Sequence, residues 1–252
     1  MRYHLDTIPV WDAVKLEGEC PLCALRRHNE VIDVDRYLGA SVMEPDTRIQ
    51  VNALGFCPRH QELLYKQQNR LGHALMMHTH LKETMQRLSP VLKQAQKGEI
   101  KRPSLLKRGG EGEDALSAAA RKIREMTGSC ILCRSIEENT NRYAYTLLHL
   151  YQTDSAFREA FRKSKGVCLK DMALLMEMAR TELKGDTLRD FIRDLCDAVE
   201  RSLAKLEGDL EGFTLKFDYR NADKPWGDSR GSLERTVNKL RGWCLGEEPW
   251  PQ

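Results

Sequence analysis

The clearest pattern along the chain is a helical spacing of apolar residues in three segments, 61–92, 131–151 and 186–207. Within each segment the pattern recurs at steps of three, four or seven residues, which place its members on one face of an α-helix. The positions on these faces are Leu64, Leu71, Leu75, His78, Leu81, Met85 and Leu88; Leu132, Ile136, Tyr143, Leu147 and Leu150; and Leu188, Ile192, Leu195, Val199, Leu203 and Leu206. The spacing predicts three long amphipathic helices, the third of them capped by Asp186.

Alternation of apolar and polar residues, the pattern of a half-buried strand, is scarce in this chain. The stretch that fits it best is "GFTLKFDY" at 212–219, which is compatible with one short strand. The predicted fold is therefore all-α.

Composition narrows the classes of protein that fit. The chain has 252 residues, of which 41% are hydrophobic and 31% charged, as expected of a helical globular protein. Its net charge of +3 is too small to indicate a nucleic acid or a membrane surface as partner. No apolar run approaches the roughly 20 residues that span a bilayer. Because the first residues lack an apolar signal core, we expect a cytoplasmic protein.

Eight cysteines in a protein expected to be cytoplasmic point to metal or redox chemistry rather than to disulfides. Six of them fall into two matched units, in which a CxxC is followed at a distance by GxCxxH or GxCxxD. The first unit contains "CPLC" at 20–23 and "GFCPRH" at 55–60, and the second contains "CILC" at 130–133 and "GVCLKD" at 166–171. This self-similarity indicates an internal duplication. We therefore predict two metal-stapled helical hairpins packed into one bundle.

Each unit supplies four residues of the types that bind zinc, which takes thiolate, imidazole or carboxylate ligands in a tetrahedron. Grouped by unit, the two ligand sets are Cys20, Cys23, Cys57 and His60, and Cys130, Cys133, Cys168 and Asp171. Prolines at 21 and 58 place the cysteine pairs at helix N-termini, where the positive end of the helix dipole favours thiolates. Two structural zinc ions are expected.

Two alternatives remain open for these cysteines. Three thiolates with an unusual fourth ligand can also hold an iron–sulfur cluster. If Asp171 points elsewhere, the second unit keeps an open coordination position, which is what a catalytic metal requires. His149, on the helix after Cys133, is then a further candidate ligand. A thioredoxin-like function does not fit, because no βαβ pattern surrounds either CxxC.

Four segments are predicted from these motifs. Residues 1–92 form the first metal-binding unit, 93–114 a charged, Gly-containing linker, 115–210 the second metal-binding unit, and 211–252 a polar–aromatic loop with a final helix near Ser232. Several basic residues fall between 93 and 108 and can touch phosphates, although a solvated loop explains them better: Lys93, Lys97, Lys101, Arg102, Lys107 and Arg108. 

The C-terminal segment contains a dense polar–aromatic stretch that is either a binding loop or an anchor for the last helix. Its candidate binding residues are Asp218, Tyr219, Arg220, Asn221 and Trp226. The anchor, with Asp218 paired to Arg220, is favoured. We also expect His78 and Cys196 to be buried and Cys244 to be a free thiol.

The motifs "CPLC", "GFCPRH", "CILC", "SKGVC" and "KFDYRNADKPWG", in this order, resemble an uncharacterised bacterial family catalogued as a domain of unknown function (DUF6062). The resemblance covers residues 3–242 and implies an architecture without a reaction. It also implies that the paired cysteine clusters are family features, which supports metal binding by the seven Cys and His residues and least firmly by Asp171.

The function that best fits these observations is a zinc-binding helical protein that acts as a binding or adaptor module, with a protein as the expected kind of partner. The chain has no Gly-rich phosphate loop, HExxH helix or GxSxG elbow. One alternative is an iron–sulfur or metal-dependent redox enzyme that uses the second cysteine cluster. Another is a thiol-based metal or redox sensor. Whether the protein is an enzyme stays open at this point.

Overall fold

A computed structural model describes residues 6–16, 18–98, 114–221 and 223–246 of the chain. These residues form eleven α-helices, three short 3₁₀ turns and no strand, which confirms the predicted all-α fold. The helices are α1 (Thr7–Lys15), α2 (Pro21–Leu38), α3 (Pro45–Leu54), α4 (Pro58–Lys66), α5 (Arg70–Lys97), α6 (Ala115–Thr127), α7 (Ile131–Thr153), α8 (Ser155–Lys163), α9 (Leu169–Glu182), α10 (Gly185–Leu215) and α11 (Ser232–Arg241). None of these helices is both long enough and apolar enough to cross a membrane.

The chain divides into two compact units. The first unit comprises Met1–Asn29 and Glu137–Gln252, and the second comprises Glu30–Ile136. This division differs from the four predicted segments, because the N-terminal residues pack with the C-terminal half of the chain. Val10 and Leu22 share a buried cluster with Leu147 and Phe157, which lie far along the sequence.

The core of the first unit is built on α7 and α10, whose predicted apolar faces are confirmed as packing faces. Tyr151, Phe161 and Phe191 are fully buried and pack ring against ring. Helix α10 continues to Leu215, so the strand considered at 212–219 is wrong. Its last helical turn takes up residues 212–215 instead. Asp186 lies in the first turn of α10, whose N-cap is Lys184.

The core of the second unit lies among α2–α5 and the first turn of α7, with Val34, Val51, Leu64, Met76 and Leu132 buried together. Helices α3 and α6 both pack against α5. Among the residues that the structure describes, this arrangement leaves one side of α5 uncovered.

The segment 61–92 is two helices rather than the single long helix expected. A turn at Gln67–Asn69 separates α4 from α5: Gln68 has a positive φ of 64°, and the Asn69 side chain accepts a hydrogen bond from the Gly72 amide at 2.9 Å. The predicted stripe is also not the buried face of α5. Several of its members are exposed, namely Leu71, Leu75, His78, Leu81 and Met85, whereas Met76 and Val91 are buried. The periodicity identified an apolar face correctly but not the face that this unit covers.

The predicted linker 93–114 is partly helical, because α5 extends through Lys97. Residues 99–113 lie outside the described part of the chain, as do four of the basic residues named above, Lys101, Arg102, Lys107 and Arg108.

Candidate metal centres

All eight predicted ligands converge, but they form two clusters whose membership differs from the two ligand sets predicted from the sequence units. Cluster A consists of Cys20, Cys23, Cys168 and Asp171, and cluster B consists of Cys57, His60, Cys130 and Cys133. In each cluster the four ligand atoms lie within 4.8 Å of one another. The grouping by sequence unit is therefore wrong, since each CxxC lies with the GxCxxH or GxCxxD segment of the other sequence unit.

The chain path explains this exchange of partners. Helix α2 starts at Pro21 beside cluster A and ends at Leu38 in the second unit, which contains cluster B. Helix α7 starts at Ile131 in the second unit and ends at Thr153 in the first. Each CxxC is therefore followed by a helix that leaves its own unit, and the next pair of ligands along the chain belongs to the other cluster.

All four residues of cluster A are buried. The Asp171 Oδ2 atom lies 3.2 Å from Cys20 Sγ, 3.5 Å from Cys23 Sγ and 3.3 Å from Cys168 Sγ, and Cys23 Sγ lies 3.7 Å from Cys168 Sγ. A tetrahedral zinc ion, with bonds of about 2.3 Å to sulfur and about 2.0 Å to oxygen, places two sulfurs about 3.8 Å apart and sulfur and oxygen about 3.5 Å apart. The four atoms already have nearly the spacing that one such ion imposes.

Helix starts position the ligands of cluster A. Cys20 immediately precedes α2, Cys168 is the N-cap of α9, and Asp171 lies in the first turn of that helix. The Cys23 amide donates a hydrogen bond to Cys20 Sγ at 3.4 Å, as free amides at a helix N-terminus can do. Gly166 turns the chain into α9 with a φ of 70°, and a side chain there would press against α10.

Cationic and backbone groups surround cluster A. The Arg26 guanidinium holds both Asp171 oxygens, at 2.6 Å and 3.3 Å, and also lies 3.4 Å from Cys23 Sγ. Lys239 is completely buried, and its ammonium donates to the carbonyl oxygens of Glu19 and Lys165. Burial lowers the pKa of Lys239. Three thiolates and a carboxylate around a divalent ion carry excess negative charge, which these two cations offset.

The segment after α11 closes cluster A. The Trp243 amide donates to Cys23 Sγ at 3.3 Å. Gly242 has a φ of 88°, and a β-carbon at this position would lie 3.7 Å from Cys23 Sγ and 3.9 Å from Cys168 Sγ. Hydrogen bonds from the thiols of Cys168 and Cys20 are the main reason that the pKa of Cys23 is lowered, whereas burial raises the pKa of Cys20. The Cys23 thiol is therefore the most acidic of the three thiols in the cluster.

Cluster B has the same internal geometry but faces solvent on one side. The His60 Nδ1 atom lies 3.2 Å from Cys57 Sγ, 3.2 Å from Cys130 Sγ and 3.4 Å from Cys133 Sγ. The Cys57 and Cys133 sulfurs are 3.7 Å apart. His60 and Cys130 are buried, Cys57 is half-buried and Cys133 is exposed.

A carboxylate orients the histidine of cluster B. The His60 Nε2 atom lies 3.2 Å from Glu30 Oε1, and the Arg59 guanidinium in turn holds both oxygens of Glu30 at 2.7 Å and 2.8 Å. Metal-binding histidines usually donate their second ring N–H in this way, which fixes the tautomer. The ring is therefore held with Nδ1 directed at the three sulfurs.

Charge in cluster B is shared between imidazole and thiolate. Burial lowers the pKa of His60, but hydrogen bonds to Cys130 and Glu30 outweigh it and raise the pKa to about 10. Burial raises the pKa of Cys130, but the hydrogen bond from His60 brings it down to about 6. Burial also raises the pKa of Cys133. The metal-free cluster is thus an imidazolium–thiolate pair, and a metal ion would displace the imidazolium proton.

The candidate binding loop lies apart from both clusters. Asp218 and Arg220 form the predicted ion pair, and Trp226 packs against Phe213 of α10, whereas Tyr219 is 86% exposed. Asn221 accepts a hydrogen bond from Lys216 through its carbonyl at 3.0 Å. These contacts hold the loop against the end of α10.

The remaining residues discussed in the sequence analysis also lie outside the two clusters. His149 belongs to neither of them, His78 is exposed rather than buried, Cys196 is half-buried and Cys244 is an exposed free thiol. Sequence patterns missed the residues that support the ligands, Arg26, Glu30, Arg59, Lys239 and Trp243. A signal existed for Arg26 alone, because it follows Cys23 at a helical spacing of three.

The sequence model of one family, described as a family of unknown function (DUF6062), matches residues 1–247. No curated protein and no solved structure matches the chain.

Proposed function

We propose that this chain, which belongs to the family of unknown function DUF6062, is a zinc protein that holds one structural Zn²⁺ in each cluster and serves as a binding or adaptor module. The observation that carries the proposal is the convergence of four ligand atoms within 4.8 Å in both clusters. The eight cysteines are free thiols, which fits a reducing compartment such as the cytoplasm.

The spacing of the ligands favours zinc over an iron–sulfur cluster. Sulfurs 3.7 Å apart, in cluster A and in cluster B, fit two thiolates on one tetrahedral ion. In a cubane cluster the cysteines bind different irons, so their sulfurs lie farther apart than on a single ion. One ion per cluster also uses all four ligands, without vacant positions for a substrate.

A structural role is supported by what cluster A joins. Its ligands come from the starts of α2 and α9, and the backbone at Trp243 adds a hydrogen bond from the C-terminal segment. A metal bound there links three parts of the chain that are remote in sequence. Closed four-ligand sites of this kind contribute directly to folding free energy.

A binding role is supported by large apolar side chains that the fold leaves in solvent. Phe217, just before the candidate binding loop, is 78% exposed, and Tyr219, within the loop, is 86% exposed. Exposed aromatic residues held on a fixed turn are common in protein interfaces, where they bury large areas with little loss of entropy.

Elemental analysis with an absorption spectrum, on protein purified anaerobically and in air, tests the metal assignment. We expect about two zinc ions per chain and no visible band, because each cluster binds one ion through four ligands. Cys57→Ser and Cys168→Ser should each remove one zinc, whereas Cys196→Ser, outside both clusters, should keep both. Iron with a visible band near ~400 nm, typical of thiolate-bound iron, would overturn the choice of metal.

Cluster B also supports a second function, that of a thiol-based sensor, because Cys133 is exposed and Cys57 half-buried. In such a sensor, hydrogen peroxide takes two electrons from these thiolates, which form a disulfide while the peroxide becomes water, and the ion is released. Peroxide titration with a zinc-binding dye should then release one ion from the wild type and none from Cys57→Ser, in which cluster B is already empty. Equal release from both clusters of the wild type would favour the purely structural role.

A further inference from the structure

Helix α5 carries apolar residues on two opposite faces. One face packs inside the second unit, where Gly72, Met76 and Val91 are buried. The other face is exposed or half-buried along its whole length, and its members are Leu71, Ala74, His78, Leu81, Met85, Leu88 and Leu92. An apolar face that stays in solvent is typical of an interaction surface. We call the exposed row the α5 seam.

The α5 seam has the repeat of a coiled coil. Its positions alternate strictly by three and four residues, which is the a/d pattern of a heptad. Leu71 is 72%, Leu81 56% and Met85 62% exposed, so the seam is unusually open for its apolar content. At 1.5 Å per residue it is about 30 Å long, and it spans about three heptads, enough to sustain a coiled coil.

A hollow of about 330 Å³ marks the middle of the seam, lined by His78, Leu81, Lys82, Met85 and Gln86. The first four of these residues stand at i, i+3, i+4 and i+7. Four residues in this arrangement form the hole that receives a side-chain knob from a facing helix in a coiled coil. The shape of the surface therefore fits a second helix with the same repeat.

We propose that α5 of a second copy of this chain covers the α5 seam, so that the protein is a homodimer with a coiled-coil interface. The same seam on a second copy offers leucine and methionine knobs at the required spacing, and an isologous contact of this kind closes on itself. The flanking e and g positions between Leu71 and Leu92 are Leu75, Met77, Lys82, Thr84, Ser89 and Val91, of which Val91 is buried. Only Lys82 among them is charged, so two copies meet without strong repulsion and no oppositely charged partner is required.

Sedimentation velocity of the full chain over a wide concentration series tests the dimer. We expect the wild type to sediment at twice the chain mass of 29.0 kDa. The double variant Leu81→Glu, Met85→Glu should sediment as a monomer with unchanged helical content, because both side chains are exposed in the single chain. Its dissociation constant should rise at least ~100-fold, since dimerisation would bury unpaired carboxylates. Leu233→Glu, at a leucine of α11 that is 46% exposed, should leave the dimer intact.

Leu71→Glu, at the exposed end of the seam, repeats the test with a single change if the double variant loses helix. A wild type that stays at 29.0 kDa at every concentration overturns the proposal. That result would mean that another segment of the same chain, or a different protein, covers the seam. A dimer that persists in both seam variants would overturn it as well, by placing the interface elsewhere.

Discussion

Arg26 should control the zinc affinity of cluster A without being a ligand. Its guanidinium makes two hydrogen bonds to Asp171, at 2.6 Å and 3.3 Å, and its side chain is 25% exposed. Replacing it by methionine keeps the volume but leaves the ligand carboxylate buried without its counter-charge. Breaking a buried ion pair costs 3–5 kcal/mol, and partial exposure puts this one at about 3 kcal/mol. At 1.4 kcal/mol per factor of ten, zinc affinity should fall roughly 100-fold.

Competition with a zinc chelator of known affinity measures this effect separately for the two ions. In Arg26→Met, one ion should be lost at a chelator concentration roughly 100-fold lower than in the wild type, and the other at an unchanged one. Arg26→Lys should fall between the two proteins, because lysine keeps the charge but not the fork of donors. Arg193→Met, which removes ion pairs with Asp190 and Asp194 outside both clusters, serves as control.

An affinity of Arg26→Met within about twofold of the wild type would refute the reasoning. It would mean that Asp171 does not need a counter-charge, and therefore that its carboxylate does not share the ion with three thiolates. Asp171→Asn would then also keep its zinc.

Three further predictions concern other parts of the structure. Glu30→Gln should weaken zinc binding by cluster B about 10- to 100-fold, as loss of a histidine-orienting carboxylate does, in the same chelator assay and with cluster A unchanged. Gly166→Ala and Gly185→Ala both place a β-carbon at positive φ, at 70° and 55°, but only the β-carbon at 166 lies within 4 Å of neighbouring atoms. In thermal unfolding, both variants should have a lower melting temperature than the wild type, and the decrease should be larger for Gly166→Ala. Equal decreases would contradict the close packing of Gly166 on α10. Asp154 caps α8, and hydrogen bonds from backbone amides and from Trp11 lower its pKa. Its contribution to stability should be complete above its usual pKa near 3.8 and should be lost as the pH falls through the lowered value. In Asp154→Asn, the free energy of unfolding should therefore fall less steeply with decreasing pH in the acid range.

Local spacing identified the residues that converge in the two clusters but could not predict how they combine. CxxC, CxxH and CxxD are pairs that a single helix start holds together, so each pair is visible in a few residues of sequence. Which pairs lie together depends on where α2 and α7 begin and end in the structure, and this is decided by packing between residues remote in sequence. The supporting charges, Glu30 on His60 and Lys239 beside cluster A, depend on the same packing and left no local signal.

For the helices as well, some features were predicted from the sequence and others were missed. The apolar stripes of α7 and α10 were predicted correctly because those helices have one continuous face to bury. The break at Gln68 was missed because it depends on one residue at positive φ, which no glycine marks. The extension of α10 to Leu215 was missed because a few apolar residues after a glycine fit a strand as well as a last helical turn.

The stripe on α5 is the most informative of these differences. Its periodicity correctly identified an apolar face, but the second unit buries the opposite side of the helix, at Met76 and Val91. Sequence periodicity reports how much apolar surface a helix carries and in which direction, and it cannot distinguish burial within one chain from burial between chains. A strict heptad repeat on a face that remains 72% exposed at Leu71 and 62% exposed at Met85 is best explained by a partner helix, and the hole at His78–Met85 is where its knob would fit.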